Sequence, residues 1–303
     1  MLHGIFYNAP KADCSIYESG KMCYEALKLS EKYLLDYSET SDKVEGDFDF
    51  FIFNHHPWVN NWMTNRMNEF SGKTFTIVTE VGHDGHVMPW TPPVFQHYII
   101  LDPTIIDTEN IHGFSRPLEL YKTRKKENEQ LVIGSFGFPT KGKNWEEIIT
   151  RTQEEFDEAL IRFHIPNATY VPNSQHEIDK IVFSCVSLIR KPEINIEFTH
   201  HYMDKNQLID WCSQNTINVF LYNRNQTGLA ATTDQAIIAE RPIYVSQNPT
   251  FRHILQYLHP YPKTIGEAIK TTLPAVRQMK KDWSPLEFAI KFESILLEES
   301  HEI

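Results

Sequence analysis

The sequence is poor in the features that mark secreted, membrane-spanning and metal-binding proteins. Its four cysteines are scattered, and no pair of them has metal-ligand spacing. Hydrophobic residues make up 41% of the 303 residues, yet no apolar run approaches the ~20 residues of a membrane span. The first residues lack the charged and then apolar layout of a signal peptide. We therefore expect a soluble, cytoplasmic protein whose thiols are reduced.

Positive charge is also scarce. There are 29 lysine and arginine residues against 40 aspartate and glutamate residues, which gives a net charge of −11. This balance argues against the broad basic surface of nucleic-acid-binding proteins. The densest basic run, residues 122–126, falls within a polar stretch, residues 116–130, that is typical of an interdomain linker. A local patch on this run still leaves DNA open as a partner.

Apolar segments that suit buried strands alternate with helical segments along both halves of the chain. This alternation predicts two α/β domains, each with a parallel, doubly wound sheet. We place the first domain at residues 1–118 and the second at residues 127–283. The predicted strands of the first domain are Gly4–Tyr7, Tyr33–Tyr37, Phe48–Phe53, Thr74–Thr79 and Tyr98–Leu101, and its helices are Ile16–Leu29 and Val59–Phe70.

The second domain repeats this alternation, and an amphipathic helix, residues 284–299, follows it. Ser284 is suited to cap that helix and Pro285 to its first turn. The predicted strands of the domain are Leu131–Phe136, Ala159–Ile165, Ile194–Thr199, Ile217–Tyr222 and a strand after Arg241-Pro242. Its predicted helices are Trp145–Phe156, Glu177–Ile189, Asn206–Cys212 and residues 228–240.

The most informative segment is residues 216–243. A buried strand is followed there by a polar loop that ends at Gly228, and then by a helix that contains Asp234. A loop and a helix N-terminus at the carboxyl end of a buried strand are where open α/β sheets bind phosphorylated ligands. The carboxylate of Asp234 is placed to reach a ribose, while an ordinary strand–loop–helix crossover is the alternative. The amides free at such a helix start are those of Ala230, Ala231, Thr232 and Thr233.

Four segments in order resemble the donor-nucleotide domain of GT-B glycosyltransferases, and are most similar to small bacterial and phage-borne enzymes related to glycosyltransferase family 4. The resemblance implies two Rossmann-like domains facing a cleft. It implies transfer of a hexose or pentose from a nucleotide sugar to an acceptor hydroxyl, of a glycan or of a modified base in phage DNA, without a metal or cofactor. It also implies that the last helix, residues 284–303, packs back on the first domain. The four segments are Val132–Gly142, Asn206–Tyr222, Gly228–Pro242 and Phe251–His253.

The chain departs from the family-4 pattern at two positions. That pattern places a glutamate at each end of an E-x7-E motif, and here Thr227 and Gln235 occupy the two ends. Neither side chain can act as a carboxylate. Asp234 is adjacent to the second position but is rotated around the helix. The nucleotide contacts are therefore expected to differ from those of the family.

Transfer from a nucleotide sugar requires positive charge or amide groups around the departing diphosphate. We assign this role to Lys141 and Lys143 with the backbone at Gly137 and Gly142. Lys141-Gly142 falls just after a buried strand, so this lysine is expected to point into the cleft, where a lysine acts as a point charge on phosphate. A surface turn with solvated lysines is the alternative. Arg224 is a second candidate cation, whereas the arginine of Arg241-Pro242 suits a structural role.

The best candidate for the acceptor side is the loop at residues 79–86, which follows a predicted buried strand. It resembles the loop of GT-B enzymes in which a histidine faces the transferred sugar. His83 or Asp84 would then bind sugar hydroxyls or act as the base. A metal site made of His83, Asp84 and His86 is the rival interpretation.

Two further groups lie where strands of the first domain end. Asp13 and Glu18 flank the first strand–helix turn, so either is a candidate acceptor base, and a helix cap is the alternative role for Asp13. Residues 55–57 end another strand near Trp58 and Trp62, where sugar stacking competes with ordinary packing.

Two other functions stay open. A sugar-nucleotide epimerase shares this architecture and would form product without an acceptor. A catalytically silent protein that binds a sugar or a nucleotide is favoured by the glutamates absent from positions 227 and 235. The sequence leaves the donor sugar, the base, the stereochemical course and the oligomeric state open.

Overall fold

The computed structural model describes residues 1–10, 15–40, 42–56, 62–79, 94–123, 128–168, 173–225 and 228–298. The chain forms two compact units. The first comprises Met1–Leu120 and Lys281–Ile303, and the second comprises Tyr121–Lys280. The sequence places the corresponding boundaries at residues 118, 127 and 283. The first unit is thus assembled from two separate stretches of chain.

The first unit contains a six-stranded parallel sheet. Its strands are β1 (Leu2–Tyr7), β2 (Tyr33–Ser38), β3 (Phe50–Phe53), β4 (Lys73–Val78), β5 (His97–Ile100) and β6 (Ile111–Gly113). They lie in the order β2-β1-β3-β4-β5-β6, and each neighbouring pair is parallel. The direction of strand addition reverses between β1 and β3. In doubly wound sheets, ligands bind outside the carboxyl ends of the strands at such a switch point.

The first unit is completed by a helix from the C-terminal stretch. Its described helices are α1 (Ser15–Leu27), α2 (Trp62–Asn65) and α10 (Pro285–Glu298), with a short 3-10 helix at Met67–Glu69. Helix α10 packs along α1 and contributes Phe288, Phe292 and Leu296 to the core. The Phe292 ring is fully buried, and its centroid lies 5.0 Å from that of Phe75 in β4. Burial of such a side chain stabilises the fold by about 1.5–3 kcal/mol.

The second unit contains a five-stranded parallel sheet. Its strands are β7 (Val132–Phe136), β8 (Ala159–His164), β9 (Ile194–Thr199), β10 (Ile217–Phe220) and β11 (Ile243–Val245). They lie in the order β11-β10-β7-β8-β9, so the switch point falls between β7 and β10. Its helices are α3 (Trp145–Glu155), α4 (Ser174–Leu188), α5 (Lys205–Ser213), α6 (Thr232–Ile238), α7 (Arg252–Leu255), α8 (Ile265–Thr271) and α9 (Leu273–Asp282), with a short 3-10 helix at Pro249–Phe251.

The observed elements differ from the predicted ones in several places. Strand β6 was not predicted, because three residues are too few to show a period of two. In the described part of the predicted helix Val59–Phe70, α2 ends at Asn65 and a 3-10 turn follows. The helix predicted at residues 228–240 is only the seven residues of α6, and Glu240 has a left-handed φ of 50° that excludes it from the helix.

Within the described residues, no helix is long and apolar enough to cross a membrane. The same residues contain no cluster of three or more metal-ligating side chains. Cys23, Cys185 and Cys212 are buried and free. Burial raises the pKa of each thiol, which keeps the three side chains protonated and unreactive.

Candidate functional site

The switch point of the second unit brings together two loops, each of which leaves the carboxyl end of a central strand. The loop after β7 contains Gly137 and Lys143, and the loop after β10 contains Tyr222 and Arg224. The amide of Asn223 donates to the carbonyl of Gly142 at 3.0 Å, which ties one loop to the other. This edge is where the topology predicts a phosphorylated ligand.

Two glycines allow the loop after β7 to fold against its neighbours. Gly142 has a φ of 80°, and a Cβ placed there would lie 2.6 Å from Cβ of Arg224. Gly137 has a φ of 148°, and a Cβ there would lie 2.7 Å from Nζ of Lys143. Any other residue would be strained at both positions and would displace a cationic side chain.

Lys143 is the buried cation of the site. Its residue is only 8% exposed, and its Nζ donates to the hydroxyl of Tyr222 at 2.5 Å. The same hydroxyl lies 2.9 Å from Oγ1 of Thr232, the first residue of α6. Lysine, phenol and threonine therefore form one chain of hydrogen bonds from the β7 loop to the α6 end of the site.

Arg224 is the second cation, and it is partly buried beside the first. Its Nη2 donates to Oγ1 of Thr250 at 2.6 Å and to the carbonyl of Gly228 at 3.3 Å. The centre of its guanidinium lies 5.2 Å from the ring centroid of Tyr222, and Lys143 Nζ lies 4.2 Å from the same centroid. Two cations thus share one aromatic ring. The Nε of Arg224 is buried and makes no hydrogen bond within the described chain.

The pKa values of Lys143 and Arg224 are both lowered in the folded protein. Burial, and then the charge of Arg224, lower the pKa of Lys143 to about 7. Burial also lowers the pKa of Arg224, and it raises the pKa of Tyr222 to about 12, so the phenol stays neutral. In the described part of the chain, no carboxylate forms a salt bridge with either cation. A site with two partly desolvated cations and no counter-charge is suited to an anion.

The structure separates the predicted phosphate-binding residues into two groups. Gly137, Gly142, Lys143, Arg224, Gly228 and Thr232 meet at the switch point, as described above. Lys141 is exposed and takes no part in that cluster. The pKa of Glu177 in α4 is lowered first by a hydrogen bond from Lys180 and then by nearby charges that include Lys141. The role of Lys141 at the diphosphate stays a prediction.

The start of α6 also differs from the prediction. The amide of Ala230 is not free, since it donates to the carbonyl of Thr250 at 3.1 Å. The hydroxyl of Thr233 faces inward, where it donates to the carbonyl of Ala230 and meets Nε2 of His253 at 3.2 Å. Ala231 is exposed at the N-cap, and Asp234 is buried in the first turn of the helix. Thr227 lies outside the described residues.

Sequence reasoning missed two polar residues of the site. The sequence indicates Tyr222 only as the last residue of an apolar strand, and it gives no indication of Thr250. The signal for Tyr222 is a phenol placed directly after a run of buried strand residues, where the hydroxyl needs a buried partner. Thr250 joins the site through the 3-10 helix after β11, a connection that only the fold reveals. Arg241 does have a structural contact, since its Nε donates to the carbonyl of Ser213 at 2.7 Å.

In the first unit, the switch point holds two buried asparagines. Asn54 Nδ2, after β3, donates to Oδ1 of Asn8, after β1, at 2.7 Å. Asn8 Nδ2 in turn donates to the hydroxyl of Tyr37 at 3.0 Å. A Cβ on Gly20 of α1 would lie 2.0 Å from Oδ1 of Asn8, so glycine is needed for the helix to approach this pair. The pair links the carboxyl end of β1 to that of β3.

Of the predicted acceptor residues, Glu18 can be placed. It is exposed in the first turn of α1, where a carboxylate interacts favourably with the helix dipole. Asp13, His83, Asp84 and His86 lie outside the described residues. His55 is buried at the end of β3, where burial, and then His56, lower its pKa to about 4, so it is neutral at physiological pH.

Solved structures share this two-domain architecture. HepE from Anabaena, solved with UDP and glucose, superposes with a TM-score of 0.60 over 98% of this chain and 100% of its own, at 7% identity. A glycosyltransferase from Rickettsia africae gives a TM-score of 0.61 over all of both chains, at 10% identity. The fold is GT-B. Both sheets, with six and five parallel strands, are of the kind that this fold requires.

Similarity to solved structures at this low sequence identity establishes the fold of the chain and does not establish its activity. The N-terminal domain of trehalose-6-phosphate phosphatase from Candida albicans gives a TM-score of 0.64 at 8% identity, over 100% of this chain and 97% of that one. No protein-family model and no curated protein sequence matches the chain. One fold hosts several functions, so residues rather than topology must carry the assignment.

Proposed function

We propose that this protein is a glycosyltransferase that moves a sugar from a nucleotide-sugar donor to an acceptor hydroxyl. The observation that carries the proposal is the pair Lys143 and Arg224, two cations at the carboxyl ends of β7 and β10 that form no salt bridge with a carboxylate of the described residues. In a GT-B protein, a nucleoside diphosphate is an anion that would neutralise such a pair. HepE, solved with UDP and glucose, makes UDP the first nucleotide to test.

The roles of the cations follow from the charge that develops during transfer. Cleavage of the bond from the sugar to the diphosphate leaves negative charge on the phosphate oxygens, which Lys143 and Arg224 stabilise. Anion binding also restores the ordinary protonation of Lys143, because a nearby negative charge favours the ammonium. The positive φ angles at Gly137 and Gly142 hold the loop close enough for backbone contacts with phosphate.

The acceptor side of the proposal rests on the first unit. His83 or Asp84 binds or deprotonates the acceptor hydroxyl, and Glu18 or Asp13 is the second choice of base. No metal and no cofactor take part. The acceptor hydroxyl belongs to a glycan or, as the alternative, to a modified base of DNA. The chain is a divergent relative of family 4, with Thr227 and Gln235 at the two glutamate positions.

The second candidate function is a protein that binds the nucleotide sugar without turnover. It is favoured by the same two positions, since no carboxylate stands at either. A sugar-nucleotide epimerase remains the third, and product formed without an acceptor identifies it. Turnover that requires an acceptor excludes both alternatives.

Thermal-shift measurements with UDP, GDP, UDP-glucose and uridine test the proposal. A ligand at 100 times its dissociation constant stabilises a protein by about 2.7 kcal/mol, which moves the melting temperature measurably. We expect stabilisation by at least one diphosphate and none by uridine. Release of nucleoside diphosphate is then followed with glycan and DNA acceptors. The proposal fails if no diphosphate binds, or if the bound nucleotide maps to the first unit.

A further inference from the structure

A cleft of about 590 Å³ opens on the second unit. It lies where β10 and β11 end, next to the start of α3 and the segment that precedes α8. The residues that form its walls include Asn144, Arg151, Asn223, Tyr244, Gln247 and Tyr261. Neither Lys143 nor Arg224 lines it, but Tyr222, the partner of Lys143, does, so the cleft adjoins the phosphate site.

Two tyrosine rings in this cleft are held in place by their own hydroxyls. Tyr244 accepts a hydrogen bond from Nη1 of Arg151 at 2.8 Å and donates to the carbonyl of Lys263 at 3.1 Å. Tyr261 donates to the carbonyl of Val245 at 2.5 Å. The two ring centroids lie 6.1 Å apart. Because the rings are fixed before any ligand arrives, binding does not have to order them.

Three amide side chains of the cleft have unused hydrogen-bonding capacity. Within the described chain, the side chains of Asn144, Asn223 and Gln247 make no hydrogen bond, and Asn223 and Gln247 are exposed. Each amide presents two N–H donors and a carbonyl acceptor. A ligand that both donates and accepts hydrogen bonds at several points is the chemical complement of these groups.

The charge of the cleft is nearly balanced, unlike that of the phosphate site. Nε of Arg151 donates to Oε1 of Glu147 at 2.7 Å, which offsets the guanidinium charge. The remaining cation, Lys263, is exposed. A phosphate or a carboxylate would find no desolvated, unpaired cation here. Amides, phenols and apolar ring faces instead suit an uncharged molecule that carries many hydroxyls.

We propose that this cleft binds a neutral saccharide, and that the saccharide is part of the acceptor glycan. The second clause rests on the proposed function, whereas saccharide binding itself does not. Sugar hydroxyls pair with Asn144, Asn223 and Gln247, and a sugar ring packs its C–H face on the partly exposed Tyr261, which the buried Tyr244 supports from behind. The acceptor is then an oligosaccharide that extends over the second unit.

Saturation-transfer NMR on the full chain with maltotriose, cellotriose and triacetylchitotriose tests this inference. We expect at least one of the three to bind, and the double variant Asn223→Ala with Gln247→Ala to weaken that binding roughly tenfold, since two hydrogen bonds are lost. Both side chains are exposed, so the double variant keeps the fold. Asn195→Ala, which removes an exposed amide from β9 at the far edge of the same sheet, is the matched control and keeps full affinity.

UDP affinity, measured in parallel on the same proteins, separates the two proposals. Saccharide binding that depends on Asn223 and Gln247 supports the cleft even if UDP does not bind, and then only the glycosyltransferase proposal fails. The saccharide site is refuted if UDP binds and none of the three trisaccharides does. It is also refuted if the double variant keeps full saccharide affinity, or if UDP displaces the sugar and loses affinity in the double variant.

Discussion

Lys143 Nζ donates to the hydroxyl of Tyr222 at 2.5 Å, so a buried ammonium has a neutral phenol as its partner. A buried lysine is ordinarily paired with a carboxylate, because an uncompensated charge in the interior is costly. The second neighbour, Arg224, adds repulsion. The folded domain thus carries an electrostatic cost that an anionic ligand would relieve, and four of the predictions below follow from this arrangement and the loop that creates it.

We expect Lys143→Met to weaken UDP binding roughly 10- to 100-fold, because a charge-assisted hydrogen bond of about 1.5–3 kcal/mol is lost. Isothermal titration calorimetry measures the change. Lys141→Met, two positions away and exposed, is the comparison and should alter affinity less than about threefold, as expected of a screened surface charge. Equal losses in the two variants would show that the buried lysine has no special role.

UDP affinity should fall as the pH rises through about 7, where free Lys143 loses its proton. Phosphate esters complete their second ionisation near pH 6, so above pH 7 the charge of the nucleotide is constant. The loss approaches tenfold per pH unit until the pKa of the lysine in the complex is passed. Lys143→Met should show no such slope between pH 7 and 9. A wild-type affinity that is flat over this range contradicts the assignment.

The same lysine should make stability depend on pH. The pKa of Lys143 is about 7 in the folded protein and lies below its value in the unfolded chain. At pH values between these two pKa values the unfolded chain binds more protons, so the free energy of unfolding rises with pH, by ~1.4 kcal/mol per pH unit. The destabilisation by the buried charge is fully present below pH 7. The stabilising effect of Lys143→Met should therefore be greatest at pH 6–7 and shrink toward pH 10.

Urea unfolding of wild type and Lys143→Met across this range measures that difference. Only the difference between the two proteins is diagnostic, because the buried thiols of Cys185 and Cys212 act in the opposite direction above about pH 8.5. They cancel when one protein is subtracted from the other. A difference that does not change with pH would mean that Lys143 is not desolvated.

Gly142→Ala should destabilise the second unit by about 1–3 kcal/mol, because alanine is strained at a φ of 80°. Its Cβ would also push on Arg224, so UDP affinity should fall as well. The control is Gly266→Ala in α8, where the nearest atom to a new Cβ is 3.7 Å away. That change should be neutral or stabilising by up to ~1 kcal/mol. Chemical unfolding and titration with UDP report the two effects separately.

His83→Ala and Asp84→Ala should lower turnover while UDP affinity stays nearly intact, since the proposed diphosphate contacts lie in the other unit. Loss of a general base removes roughly 10²–10⁴-fold in rate, whereas loss of one sugar hydrogen bond costs only several-fold, or about 1 kcal/mol. The size of the loss in kcat therefore assigns the role. Full turnover in both stable variants would place the acceptor machinery elsewhere.

The elements that could be predicted from sequence are those with long, regular apolar patterns. Strands such as Val132–Phe136 and Ile194–Thr199, and the helix over Trp145–Glu155, show clear periods, and the alternation implies the parallel fold. The three-residue strand β6 has no readable period. Ahead of α6, the hydroxyl of Thr250 donates to the carbonyl of Gly228, and a contact between residues 22 positions apart leaves no local signal.

For the candidate site, the sequence indicates the loops after β7 and β10 but does not tell which of two neighbouring side chains is buried. Lys141 is exposed and Lys143, two positions later, is buried, a difference that depends on the tertiary fold around the left-handed Gly142. The pairing of Tyr222 with Lys143 likewise depends on strand order, because β7 and β10 are adjacent in the sheet but 79 residues separate the two side chains. Net charge, by contrast, argues only against a broad basic surface and gives no indication of where a local cationic site lies.

The placement of α10 has a consequence for how the protein is made. Phe288, Phe292 and Leu296 are core residues of the first unit, yet they follow the entire second unit in the chain. On the ribosome, residues 1–120 therefore emerge with the apolar face beneath α10 still uncovered, and the second unit can fold first. A nascent chain stalled before residue 285 would carry one complete domain and one whose core lacks Phe288, Phe292 and Leu296.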